Sequence, residues 1–309
     1  MINKEQLYTS TQTKLLHNLD NLKTMQRGVF KPISIQLAPT DICNLNCIMC
    51  SVKEREGNEL TLEQCIQVLS DFRSLGAKTV EFTGGGDPTM YKYINEAITC
   101  AYDLGYSIGL ITNGVKLSNI SSSNLAKLTW IRISLNCLDY VKDISISIPE
   151  HVTLGFSYVW TDLSDEAKLE KIARYYKKYK AAYVRVVPNC LSIDDIAKAT
   201  EAVKPYLDKY PGFFFQQKKY VVPKRCFMGL IKPFVNTDGF VYHCSANPLI
   251  DRKFNPKFRM CAIQDIDKYW RASPEAFNTH MCQEGKCFFA EHNNLIEQVI
   301  APCEHGDFI

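Results

Sequence analysis

Thirteen cysteines stand among the 309 residues, and three of them, Cys43, Cys47 and Cys50, sit together in the run CNLNCIMC. Three thiolates at C-x3-C-x2-C spacing on one tight loop can hold three irons of a four-iron cluster and leave the fourth open, whereas ferredoxin sites with four thiolates close every iron. The open iron is the chemical point, because it can accept a reacting ligand. A structural zinc loop, the competing reading, draws on C-x2-C pairs. Disulfides fit poorly, since the N-terminus MINKEQLYTS lacks the apolar core of a signal peptide and a reducing, cytoplasmic setting is expected. A second constellation follows past residue 200. Cys226, Gly239 and Cys244 fit C-x12-G-x4-C, Cys282 and Cys287 follow at C-x4-C, and Cys261 and Cys303 are rival ligands. Zinc, with His280 or His292 as a further ligand, suits these thiols as well as iron does.

Something must position these loops. With 46% hydrophobic and 22% charged residues the chain is globular, which excludes a disordered or fibrous protein. A formal charge of +3 is too mild to demand a polyanionic partner, and no apolar run approaches the roughly 18 residues of a membrane span. Leu15, Leu16, Leu19 and Leu22 give residues 1–32 a helical spacing that ends at Gly28. Residues 33–200 alternate short β-rich runs with helical stretches. Six strands are expected, near 34–39, 79–83, 107–112, 130–135, 153–160 and 182–187, with VKDISISIPE as a further strand or an irregular crossover. The clearest helix runs from Leu62 to Leu75, capped by Thr61 with Gln64 three residues on, and stops before Gly76. The expected fold is α/β, a partial (β/α)6 TIM-like barrel. Residues 201–309, broken by six prolines from Pro205 to Pro256, form a small irregular domain that needs a metal to fold. VNTDGFVYHC reads as a hairpin turning at Asp238–Gly239.

At Cys43, Cys47 and Cys50, placed just after the first strand, the sequence resembles the radical S-adenosylmethionine (radical SAM) superfamily, over about residues 33–190. The resemblance implies a [4Fe-4S] cluster whose open iron binds S-adenosylmethionine. It also implies an electron donor such as flavodoxin or ferredoxin, and a 5′-deoxyadenosyl radical that abstracts a hydrogen atom from the substrate. EFTGGGDP, ending the second strand, matches the family's glycine-rich motif for the methionine amino group. Gly84, Gly85 and Gly86 let backbone carbonyls approach a ligand, and Asp87 stands where the family more often has Glu. Asn113 in ITNG is a candidate contact to cofactor or substrate. Ser134 and Asn136 look like the family's ribose-contacting positions, and Arg185 on the sixth strand is a candidate partner for the cofactor carboxylate, since guanidinium binds carboxylate bidentately. For each of these four a loop or strand-end residue that merely satisfies backbone is an equal alternative. Their shared place at the C-terminal ends of strands favours them as a set.

The C-terminal cysteines resemble the SPASM/twitch extension, which implies a second [4Fe-4S] cluster on Cys226, Cys244, Cys282 and Cys287. Six cysteines past residue 200 suit one auxiliary cluster rather than two. Cys65 and Cys100 lie in helical patterns and read as core residues, while Cys137 and Cys190 follow strands four and six near the mouth. No residue is singled out as catalytic. The resulting expectation is a radical SAM enzyme of oxidoreductase or isomerase type acting on a small molecule or nucleotide. A peptide would usually bring a leader-binding domain, and the first thirty residues show none. The alternatives are a nucleic-acid base, because of basic stretches at 168–180 and 216–225, a peptide, or a metal-stapled binding protein without catalysis.

Overall fold

The computed structural model describes residues 4–191, 196–216, 222–282 and 287–302. The six expected strands form as β1 (Ser34–Leu37), β2 (Thr79–Phe82), β3 (Ser107–Thr112), β4 (Trp130–Ser134), β5 (Thr153–Trp160) and β6 (Tyr183–Pro188). They pair in sequential parallel order, with Gln36 opposite Glu81 and Gly155 opposite Tyr183. Between them run α3 (Leu62–Ser74), α4 (Ile94–Asp103), α5 (Ser122–Leu125) and α6 (Glu166–Lys178), and VKDISISIPE is an irregular crossover.

Period-two alternation builds two unlike faces. Ile35, Leu37, Val80, Phe82, Ile108, Leu110, Ile131 and Ile133 are buried and pack beneath the helices. The alternate positions, among them Gln36, Glu81, Arg132 and Arg185, turn to the barrel interior and carry the polar groups. Helix α3 starts on the expected capping box, with Thr61 Oγ1 accepting from Gln64 N and Gln64 Oε1 from Thr61 N. Gly76 ends it at φ 105°, a conformation that favours glycine.

Three expectations need correction. The alternation does not stop at residue 200: α7 (Ile196–Lys209) and β7 (Phe213–Phe215) add another parallel unit on β6. Pro205 lies inside α7 rather than ending it, and the burial of Val203 and Tyr206 against the barrel outweighs the missing N–H. The small irregular domain expected over 201–309 also adds strands to this sheet. After β8 (Arg225–Cys226) and α8 (Met228–Ile231), β9 (Phe234–Val235) pairs with β1 in parallel. β10 (Phe240–Tyr242) and β11 (Arg259–Ala262) extend the sheet antiparallel, giving ten strands in all among the described residues. The β9–β10 hairpin turns at Gly239, φ 78°, as expected. Beyond β10 come α9 (Pro248–Asp251), α10 (Ile266–Arg271), β12 (Phe277–Asn278), which pairs with β8, and α11 (Ala290–Ile300).

The N-terminal helix is broken into α1 (Lys4–Tyr8), a 3-10 turn (Gln12–His17) and α2 (Leu19–Gln26). Hydroxyl side chains at 9–11 compete for backbone groups, Thr9 Oγ1 donating to Glu5 O at 2.8 Å. Leu15 and Leu22 pack with Phe227, Leu230 and Ile296, while Leu16 and Leu19 are exposed. Among the described residues no helix is long and apolar enough to cross a membrane. Phe72, fully buried beneath α3 and edge-on to Trp270 at 5.1 Å, ties the barrel to α10. Phe72→Ala should cost about 3–5 kcal/mol, read as a lower urea midpoint with an unchanged slope.

Candidate active site

The cysteine loop leaves the C-terminal end of β1 and is closed at its neck. Thr40 bridges Glu59, Asp41 N donates to Asn58 O at 3.0 Å, and Leu60 N donates to Pro39 O at 2.9 Å. Within it Cys43, Cys47 and Cys50 are half-buried, and Cys50 N donates to Cys47 O at 3.1 Å. Burial pushes the Cys43 thiol up, and pushes Cys47 to about 12, with Cys50 and Cys43 adding to it. Arg55 reaches into this group, its Nη2 donating to Cys50 Sγ at 3.0 Å and its Nε to Gly85 O at 3.0 Å. Such a donor set gains from a cationic metal centre, so it fits an iron-sulfur cluster. Among the described residues no three His, Cys, Asp or Glu side chains converge on one mononuclear ion.

Other elements brace the loop. Arg252, from the C-terminal segment, donates through Nη2 to Cys50 O at 2.7 Å and Ile48 O at 3.1 Å. Tyr140 Oη accepts from Ile48 N at 2.8 Å. Sequence reasoning missed Arg55, Arg252 and Tyr140; only Arg55, five residues past Cys50, carried a local signal.

The glycine run sits directly against this loop. A Cβ on Gly86 would fall 2.1 Å from Ile42 O, and one on Gly84 would fall 2.1 Å from Gly86 O, whereas Gly85 has room. Two of the glycines are thus required by backbone packing, with Gly86 N donating to Thr40 O and Asp87 N to Ile42 O. Asp87 is buried and spends both oxygens within the protein. It accepts from Thr89 N and Oγ1, from Thr112 Oγ1, and from Asn113 N at 2.6 Å. It fastens the end of β2 to the end of β3. Asn113 in turn donates to Asn44 Oδ1 at 2.8 Å and lies 3.8 Å from Cys43 Sγ, touching the cysteine loop. Asn136 is bridged to β5 through Val159 N and O, and Ser134 is half-buried at the strand end with no capping bond. The buried Asp139 beside Cys47 pairs with Lys168 of α6. Arg185 lies on the interior wall, apart from these groups.

The second cysteine set shares one electrostatic neighbourhood. Cys244 feels Cys226, Cys287 and Cys282, and Cys282 feels Cys226 and Cys287. Burial raises all four, Cys282 to about 12 and Cys287 to about 11. Cys261 is not among them; it is on β11 against the barrel core, beside Asp265. Cys303 lies outside the described residues, as do residues 217–221 of the basic stretch. His292 shares a hydrogen bond with Ser10 Oγ at 3.2 Å, and His280 is exposed. Cys65 is a core residue, Cys100 packs against that core, and buried Cys137 lies in the field of Cys47.

Residues 37–151, which hold the cysteine loop, the glycine run and Asn113, match the family model of the Radical SAM superfamily. The chain carries a radical SAM domain. The PqqA peptide cyclase of Rhodopseudomonas palustris is 26% identical over 289 residues, spanning 81% of this chain and 76% of that one. The fold resembles that of Streptococcus suis SuiB bound to precursor peptide SuiA, with a TM-score of 0.56, 14% identity, and coverage of 93% of this chain and 79% of that one. It also resembles anSMEcpe with bound AdoMet and Cp18Cys peptide, with a TM-score of 0.53, 15% identity, and coverage of 90% and 86%. The matched family implies S-adenosylmethionine and a [4Fe-4S] cluster as cofactors.

Two changes probe the site's framework. Asp87→Ala leaves the buried Asn113 and Thr89 amides without acceptors and should cost on the order of 3 kcal/mol, measured by urea unfolding, while Thr99→Val on the outer helix α4 should cost far less. Deeper in the barrel, Glu81 accepts from Lys232 at 2.8 Å and Gln36 at 3.0 Å. Burial pushes its carboxyl up, but the Lys232 charge prevails and holds it below the ordinary 4.5. A depressed carboxyl contributes stability above its unfolded value that is lost as pH falls through the folded one. Wild type should therefore lose stability between about pH 5 and pH 3 more steeply than Glu81→Gln, by denaturant titration at each pH.

Proposed function

We propose that this radical SAM enzyme modifies a peptide, with its catalytic cluster on Cys43, Cys47 and Cys50 and an auxiliary [4Fe-4S] cluster on Cys226, Cys244, Cys282 and Cys287. The observation that supports the catalytic cluster is the sealed loop that presents three half-buried thiols beside Asn113 and the glycine run. The clustering of four thiols from β8, the end of β10 and the segment before α11 supports the second. When bound, the cluster and S-adenosylmethionine supply a one-electron cleavage whose 5′-deoxyadenosyl radical takes a hydrogen atom from the substrate.

The protein's own residues hold and shape. Arg55 offsets negative charge at Cys50, Arg252 and Tyr140 fix the loop backbone, and Lys168 neutralises Asp139 beside Cys47. Gly85, with room above it, and the half-buried Ser134 are the groups at the strand ends left to meet the cofactor; Asp87 and Asn136 position their neighbours instead. An external electron donor of the flavodoxin or ferredoxin kind completes the system.

A peptide replaces the small molecule or nucleotide that compactness favours. The relatives support this: one is a PqqA peptide cyclase and two solved structures hold a precursor peptide or the Cp18Cys peptide. The likeness to SuiB spans 93% of this chain.

Anaerobic reconstitution tests the cluster assignments. Given dithionite and S-adenosylmethionine, wild type should form 5′-deoxyadenosine and Cys47→Ala should fall to background, whereas a non-catalytic binder would form none in either. Cys244→Ser should lose about half of the iron and sulfide of wild type, as expected for one of two four-iron clusters. Iron content unchanged by that substitution would refute the auxiliary assignment.

A further inference from the structure

The barrel interior holds two guanidiniums whose Nε atoms find no hydrogen-bond partner. Arg132 on β4 and Arg185 on β6 occupy inward positions of their strands and line a cavity of about 830 Å³ that also takes in Gln36, Glu81, Trp130 and Lys232. Glu81, the carboxylate of that wall, is already held by Lys232 and Gln36. Glu5 and Glu291 also line the cavity; Glu5 lies in the field of Arg185, and Glu81 in that of Arg132. The Nε atoms of Arg132 and Arg185 are both buried without a hydrogen-bond partner. Burial and the neighbouring Arg132 press Arg185 down to about 9. Two like charges kept together out of water are unfavourable unless an anion joins them.

The surrounding wall is shaped for a ligand rather than merely empty. A Cβ on Gly109 of β3 would fall 2.3 Å from the Trp130 ring, and one on Gly155 of β5 would fall 2.0 Å from the Tyr183 ring. Glycine on these two strands lets both rings lie across them. Trp130 lies under the Arg132 guanidinium, 5.6 Å from Cζ to ring centroid, and Tyr183 stacks on Tyr8 of α1 at 4.6 Å. None of Cys43, Cys47, Cys50, Gly84, Gly86 or Asn113 lines this cavity, which separates Arg185 from the cofactor carboxylate for which its residue type makes it a candidate.

We propose that Arg132 and Arg185 form a carboxylate-binding subsite in the barrel interior that anchors an acidic group of the substrate. This rests on the reading of the protein as a peptide-modifying radical SAM enzyme. Two guanidinium forks suit the planar oxygens of a carboxylate. Arg132 stands two residues before Ser134, so the anchored acid lies about 7 Å below the strand ends.

The test uses the reconstituted protein without S-adenosylmethionine, with glutarate and inorganic phosphate as probes in calorimetric titrations. Glutarate should bind saturably and more tightly than phosphate. Arg132→Gln and Arg185→Gln should each weaken it at least tenfold, while the surface variant Arg271→Gln binds as wild type. Melting curves establish that each variant is folded; should Arg185→Gln not fold, Arg185→Lys, which keeps the charge and loses the fork, should still bind glutarate several-fold more weakly. No saturable glutarate binding, phosphate binding as tightly as glutarate, or wild-type binding by a folded Arg132 or Arg185 variant would overturn the proposal. 5′-Deoxyadenosine formation, measured on the same wild-type preparation, separates the two readings. An active enzyme that ignores glutarate lacks only the subsite, and a glutarate binder that forms no 5′-deoxyadenosine is not the enzyme proposed.

Discussion

Backbone against backbone, at the point where Gly86 meets the Ile42 carbonyl, is the constraint on which the rest of the site depends. There is no space for even one methyl carbon between the two loops. That closeness lets Gly86 N and Asp87 N bond the base of the cysteine loop, so the loop after β1 and the loop after β2 are one rigid unit. Asp87 then extends the unit to β3 through Thr112 and Asn113, and Asn113 returns to Asn44. Three consecutive strand ends are thereby locked to the loop that carries the three cysteines. Parallel strands make this feasible, since their C-terminal ends all open on the same side of the sheet.

The two faces of that sheet follow different rules. Outward positions are aliphatic and aromatic and bind the helices; inward ones are polar, glycine or ring-bearing. The interior is thus a chemical surface rather than a packed core. Its charges divide into a satisfied part, Glu81 with Lys232 and Gln36, and an unsatisfied part, Arg132 with Arg185. The satisfied pair also joins β2 to the segment entering β9, so it helps attach the C-terminal third.

Much of this was legible in the sequence. Strand positions, the Thr61 capping box and the Asp238–Gly239 turn are local signals, carried by alternation, spacing and backbone preference, and they correspond closely to the observed elements. The cysteine triplet pointed to the site for the same reason. What could not be read was non-local. Arg252 reaches Cys50 from two hundred residues away, and β9 is too short at two residues to announce that it pairs with β1. The leucine spacing of the N-terminus suggested one helix, but Thr9–Thr11 and Asn18 break it. Asn136 and Asp87 sit at family-like positions yet are consumed by neighbouring strands, a fact about partners that no residue type reveals.

The pairing of β9 with β1 has a consequence for how the molecule is made. During synthesis from the N-terminus, β1 emerges with one edge unoccupied until some two hundred further residues have left the ribosome, and long-range strand pairing of this kind is slow. Arg252 arrives later still, so the cysteine loop gains its final brace only after that stretch too has emerged. Maturation with iron and sulfide should therefore wait for it rather than begin when the triplet leaves the ribosome.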